Sequence, residues 1–127
     1  MKIILFSVLI LFPLYNKAQN VKTFLDALVK MEYAVLEKYL SKEVNCTLDG
    51  TLITGKHSLI TKLTEFVSSH SIKSDKIIHE GVTKGKESYM GIGSLISDKS
   101  KYRVYLTFGT GENKGMVQDI KIEKDVL

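Results

Sequence analysis

The sequence predicts an α+β fold, with helices first and a β-meander after them. Three observations carry this reading. Residues 20–40 and 57–69 place apolar side chains at i, i+3 and i+4, the helical period. After His70 come four runs rich in β-branched and aromatic residues, at 76–83, 88–97, 101–109 and 115–123. The connections 84–87, 98–100 and 109–114 are short and polar. Short links force antiparallel neighbours, because a parallel pair needs a crossover of about a dozen residues or more. Helices then strands is the α+β order.

The elements follow in sequence. Met1-Lys2 opens a 13-residue apolar run, 3–15, closed by Asn16-Lys17-Ala18. A positive start, an apolar stretch and a small residue after a polar one have the form of a secretory signal peptide over 1–18, cut after Ala18. The run falls short of the roughly 20 apolar residues a bilayer span needs. No cysteine follows it for a lipid anchor. The reading is export to the periplasm or medium, with a single domain over 19–127 and no membrane span once the leader is gone. Val21, Phe24, Leu25, Leu28 and Val29 share one helical face, and Val35, Leu36, Tyr39 and Leu40 another. The phase slips at Lys30-Met31-Glu32, which predicts two helices, the first capped by Asn20. Residues 44–48 read as a strand turning at Asp49-Gly50 into 51–54. Gly55 breaks the chain before a third helix carrying Leu59, Ile60, Leu63, Phe66 and Val67.

Centring each meander turn pairs His79 with Ile92, Glu80 with Gly91, Gly93 with Val104 and Val104 with Ile120. One face then carries Ile78, Glu80, Val82, Tyr89, Gly91, Gly93, Leu95, Tyr102, Val104, Leu106, Phe108, Gln118, Ile120 and Ile122, and receives the helices. The other carries Ile77, His79, Met90, Ile92, Ser94, Ile96, Arg103, Tyr105, Thr107, Val117, Asp119 and Lys121. A slip of one residue would exchange the faces.

Composition excludes several classes. The 127 residues are 44% apolar and 25% charged, which excludes disorder. Cys46 is the single cysteine, so no internal disulfide forms, and it reads as a small buried apolar residue. Net charge is +4, but without Lys2 and Lys17 the balance is 16 basic against 14 acidic. The lysines are spread evenly, and no basic cluster is interleaved with aromatics, which argues against nucleic acid. Catalytic elbows, phosphate loops, dinucleotide fingerprints and zinc-protease helices are missing. His57, His70 and His79 are scattered, so neither a metal nor another cofactor is expected. His57 reads as a surface residue and His70 as a partner for a helix C-terminus.

The stretches 35–40, 78–81 (Ile-His-Glu-Gly), 89–93 (Tyr-Met-Gly-Ile-Gly) and 102–105 (Tyr-Arg-Val-Tyr) carry a resemblance. In that order and spacing the chain resembles the nuclear transport factor 2-like superfamily, which includes polyketide cyclases, limonene epoxide hydrolases and ketosteroid isomerase. Within it the chain looks most like a group of small exported bacterial proteins, domain of unknown function 4783. The resemblance covers about residues 20–124 and implies a cone: three N-terminal helices packed on a curved antiparallel sheet. Such proteins often place Gly-Asp between the first two helices, where this chain has Met31-Glu32. The group has no assigned activity, so no catalytic residues carry over.

Two constellations remain. Glu80, Tyr89, Tyr102 and Gln118 line the concavity in this pairing, with Gly91 and Gly93 leaving room beside them. A carboxylate so placed can serve as a general acid or base; the plainer reading has Glu80 at an open rim and Tyr89 as core. On the outer face stand Ile92, Tyr105 and Arg103, the only arginine, with Asp119 in diagonal reach. An ion pair of structural value and an interface anchor both fit Arg103. The function that results is a non-catalytic exported module, holding a small apolar or amphipathic ligand between helices and sheet or binding another protein. The outer face carries Ile77, Met90, Ile92, Ile96, Tyr105 and Val117, more apolar surface than a solvated face needs, so a homodimer through residues 77–117 of that face is expected, and the resemblance points the same way, since relatives of this fold commonly dimerise sheet to sheet. The alternative is a pocket enzyme of isomerase, cyclase or hydrolase type using Glu80. A cavity filled by Leu63, Phe66 and Phe108 would favour the interaction module.

Overall fold

The computed structural model describes residues 17–82, 88–109 and 114–125, so the leader before Lys17 and the first meander turn, centred on 85–86, lie outside the described residues. The element order is α1 (Lys17–Lys30), α2 (Tyr33–Tyr39), β1 (Leu40–Leu48), β2 (Thr51–Thr54), α3 (Lys56–Ser69), β3 (Ser74–Val82), β4 (Tyr89–Ile96), β5 (Lys101–Phe108) and β6 (Val117–Lys124). α1 begins three residues before Asn20, which therefore sits in its first turn and does not cap it.

The predicted break between the first helices is real, and its geometry explains it. Met31 adopts φ 56°, its N–H donates to the Leu28 carbonyl, and the Glu32 N–H donates to Ala27. This is the left-handed Schellman ending that glycine usually supplies. α3 ends the same way: Ser71 has φ 54°, with Ser71 bonded to Ser68 and Ile72 to Val67. At the β1–β2 hairpin, Asp49 and Gly50 both have positive φ (49° and 89°), the turn that Asp-Gly favours.

The strands form one six-stranded sheet in the order β2-β1-β6-β5-β4-β3. The β1–β6 pair is parallel and joins the early hairpin to the end of the meander. No local signal announced that join; it closes across most of the chain. α1 packs on β3 and β4, and α3 on β1 and β2. The core between them includes Val21, Phe24, Leu25, Leu28, Leu36, Leu63, Leu95, Leu106 and Ile122, all essentially without exposure.

The meander pairs His79 with Ile92, Glu80 with Gly91 and Gly93 with Val104, as the turns predict. Val104 pairs with Ile122, two residues beyond the predicted Ile120, and an even shift leaves the faces unchanged. Two bulges do change them. One lies between Ile77 and His79: Ile77 pairs with Gly93, turning it toward the helices, and Ile78 is left 45% exposed. The other sits where Phe108 pairs with Val117 and Thr107 with Asp119, making Gln118 the extra residue. Val117, predicted on the outer face, is fully buried. An inserted residue reverses the alternation beyond it, which hydrophobic patterning by itself does not reveal.

Candidate functional site

Glu80 on β3 and Tyr89 on β4 come together as the sequence predicts. Glu80 lies opposite Gly91, Tyr89 lies opposite Val82, and the four share the helix-facing side. The Tyr89 phenol is hydrogen-bonded with the Glu80 carboxylate. Burial, then the Glu80 charge and that bond, push the phenol above its ordinary value. Its ring meets Phe108 at 6.1 Å. The Glu80 Oε2 atom is buried and has no hydrogen-bond partner among the described residues.

Tyr102 and Gln118 do not join them. Tyr102 pairs with Leu95, four residues along β4 from Gly91, or about 13 Å at the strand rise. There its ring meets Phe66 at 4.9 Å and His70 at 5.3 Å. The His70 Nδ1 lies 3.0 Å from the Phe66 carbonyl, so His70 does serve the end of α3. Gln118, at its bulge, is half-buried. Only two of the four predicted pocket residues meet.

The room expected over the glycines is taken. A Cβ at Gly91 would stand 2.7 Å from a Val21 methyl. One at Gly93 would meet Leu25 at 2.7 Å and the Lys76 carbonyl oxygen at 2.9 Å. The glycines therefore let α1 settle onto the sheet. Leu63, Phe66 and Phe108 are buried as well. A shallow groove of about 600 Å³ lies elsewhere, between Met31, Tyr33 and the Thr64–Ser69 side of α3.

On the outer face, Ile92 stands between His79 and Tyr105 in the register. The Lys121 ammonium lies 5.8 Å from the Tyr105 ring. Arg103 pairs with Asp125, Nη2 to Oδ2 at 3.3 Å, and not with Asp119. The two-residue shift explains this: Asp119 is opposite Thr107, four positions from Arg103, while Glu123 faces Arg103. Arg103 Nε is buried without a partner among the described residues.

One charged cluster was missed. Lys22 Nζ lies 3.1 Å from Asp26 and 3.2 Å from Asp75, tying α1 to β3. The Lys22/Asp26 spacing is visible in the sequence as an i, i+4 pair; Asp75 is added only by the fold. The Asp75 side chain is 6% exposed. Burial, then a hydrogen bond shared with Asp26, push its carboxyl up against the pull of Lys22. Asp26 is also pushed up by burial, but its bonds to Asp75 and Lys22 outweigh that and hold it low. The two neighbouring carboxyls are thus split, Asp75 raised and Asp26 lowered. A raised acid stabilises the fold below its unfolded value of about 3.9 and loses that contribution as pH rises through the folded value. Asp75→Asn keeps an N–H donor toward Asp26 and removes the titration. Relative to wild type, the variant should gain stability as pH rises above the unfolded value of about 3.9, read as urea midpoints. Parallel pH curves would contradict the assignment.

Cys46 is buried, and burial pushes its thiol up to about 12, so it packs as a neutral side chain. The described residues hold no group of three or more His, Cys, Asp or Glu able to grip a metal. No helix among them is long and apolar enough to cross a membrane.

The fold has close counterparts. A DUF4783 family protein from Bacteroides uniformis superposes with a TM-score of 0.71 at 25% identity, over 84% of this chain and 97% of the other. One from Bacteroides fragilis gives 0.69 at 24% identity, over 81% and 96%. A nuclear transport factor 2-like protein of unknown function from Silicibacter pomeroyi gives 0.64 at 13%, over 85% and 92%, a likeness of fold alone. No curated protein matches the chain. The family model described as "Domain of unknown function (DUF4783)" matches residues 21–123, nearly all of the described chain, and the protein belongs to that family.

Proposed function

We propose that this is an exported, non-catalytic interaction module that self-associates through the outer face of its sheet. The observation that carries the reading is the contrast between the two faces. The helix-facing side is filled by α1 and α3, with Val21 and Leu25 seated on the glycines. The other side presents Met90, Ile92, Ile96 and Tyr105, each only half-buried, with Ile78 exposed beside them and no helix above among the described residues. An apolar patch of this kind usually marks an interaction site. Both charge signs border it, with Arg103, Lys121, Glu123 and Asp119 on β5 and β6. A mixed rim suits a second copy related by a two-fold axis, since each sign can meet its opposite. Ile77 and Val117, turned inward by the bulges, are no part of this surface.

The test is light scattering at tens of micromolar. The mature protein should run as a dimer and Ile92→Glu as a folded monomer. A monomeric wild type, or a variant of unchanged mass, would refute the reading. Export rests on the leader over 1–18, and mass spectrometry of the secreted chain should find it starting at Gln19.

A second reading has one observation in its favour. The Glu80–Tyr89 pair, with an unpartnered carboxylate oxygen, has the make-up of a general acid–base site. It would serve a small ligand entering beside β3. Glu80→Gln should then abolish ligand binding or turnover while leaving the fold intact.

A further inference from the structure

On the outer face the strand register sorts side chains into levels that run across the sheet. One level holds Lys76, Ser94, Arg103 and Glu123, on β3, β4, β5 and β6 in turn. The next holds His79, Ile92, Tyr105 and Lys121 in the same order. The third holds Gly81, Met90, Thr107 and Asp119. We infer that a second copy docks about a two-fold axis running along the strands between β4 and β5, so that Lys76 of each copy meets Glu123 of the other and Ile92 meets Tyr105. The inference rests on the self-association reading above and gives it a geometry.

Charge selects this axis. Sheets stacked face to face lie about 10 Å apart, and a two-fold relating them lies in the plane of contact. An axis along the strands keeps each residue at its level and exchanges the strands on its two sides. Between β4 and β5, it exchanges those two strands and sets β3 against β6. The first level then gives Lys76 against Glu123 and Ser94 against Arg103. The second gives Ile92 against Tyr105, and His79 against Lys121, where a neutral imidazole can accept from the ammonium. The third gives Met90 against Thr107 and Gly81 against Asp119. Opposite signs meet at the rim, and apolar side chains meet at the centre.

Neighbouring placings each meet a cost. Along β4 the axis brings Lys76 onto Arg103. Along β5 it brings Lys121 onto Ile92 and Asp119 onto Met90, setting charges on apolar surface. Across the strands at the Ile92 level it brings Glu123 onto Asp119, and like charges facing across a contact oppose it. The favoured pair is also within reach. Lys76 is exposed and in no ion pair among the described residues. Glu123 holds Lys121 at 3.5 Å in a pair largely open to water. Aligned sheets cross at about 30°, which shifts β3 and β6, about 7 Å from the axis, by about 4 Å. A lysine and a glutamate span that offset. Within one chain the same two residues stand three strands apart, about 14 Å, too far to pair.

Two single variants and their mixture test this, by light scattering over a dilution series, with circular dichroism to check the fold. Lys76→Glu and Glu123→Lys should each weaken the dimer about tenfold or more, because each reversal puts like charges at both symmetry-related contacts. Mixed in equal amounts, the two variants should pair within about threefold of the wild-type affinity. The reversed side chains then meet each other at one contact, and the native ones meet at the other. Compensation inside a chain cannot mimic this, since the reversals sit on different chains. A mixture no more dimeric than its components overturns the inference and leaves the dimer standing; a monomeric wild type overturns both. Should Glu123→Lys fail to fold beside Arg103, Lys76→Glu decides alone. Weaker pairing then supports the axis. Unchanged or tighter pairing, the result expected where Lys76 meets Arg103, overturns it.

Discussion

Gly93→Val should destabilise the protein by about 3 kcal/mol, the upper part of the range for overpacking a fitted core. Gly93 lies on the helix-facing side of β4, between Ile77 on β3 and Val104 on β5. A Cβ there meets two different obstacles. The Leu25 methyl at 2.7 Å belongs to a side chain that can rotate away, but the Lys76 carbonyl oxygen at 2.9 Å is backbone of the paired strand. Relief requires moving β3 where it already bulges, so the strain cannot be absorbed by a rotamer change. Gly91 is the contrast: the atoms a Cβ would meet all belong to the Val21 side chain. Gly91→Ala should therefore cost clearly less than Gly93→Ala. Urea unfolding of the two alanine variants checks the order, and equal losses would mean that β3 yields as easily as a side chain.

Leu25→Ala should cost about 3 kcal/mol, the usual consequence of removing a fully buried leucine and leaving a cavity. Leu25 has no exposure and forms the contact between α1 and the floor of the sheet at Gly93. The two sites are therefore coupled. In Leu25→Ala/Gly93→Ala the new methyl occupies part of the space the leucine vacates, so the double variant should lose less than the two single losses combined. Simple additivity would show that the Lys76 carbonyl, not Leu25, sets the limit at Gly93.

Much of this molecule was readable along the chain because the signals are local. The periodicity of 20–40 and 57–69 marks the helices, Asp49-Gly50 the hairpin, and the short polar links of the meander its antiparallel order. The β3–β4 and β4–β5 pairings follow as well, and with them the meeting of Glu80 and Tyr89 on one face. What the tertiary structure decided are the matters that depend on non-local fit. The parallel β1–β6 join needs the meander to return to a hairpin formed roughly seventy residues earlier, and no spacing records it. The bulges at Ile78 and Gln118 exchange faces for Ile77 and Val117, because one extra residue reverses a period of two. Along the chain, Gly91 and Gly93 read as open space, yet in the fold they are where Val21 and Leu25 land. A missing side chain shows only that something comes close. Whether that is a ligand or a neighbouring helix is set by how α1 lies on the sheet.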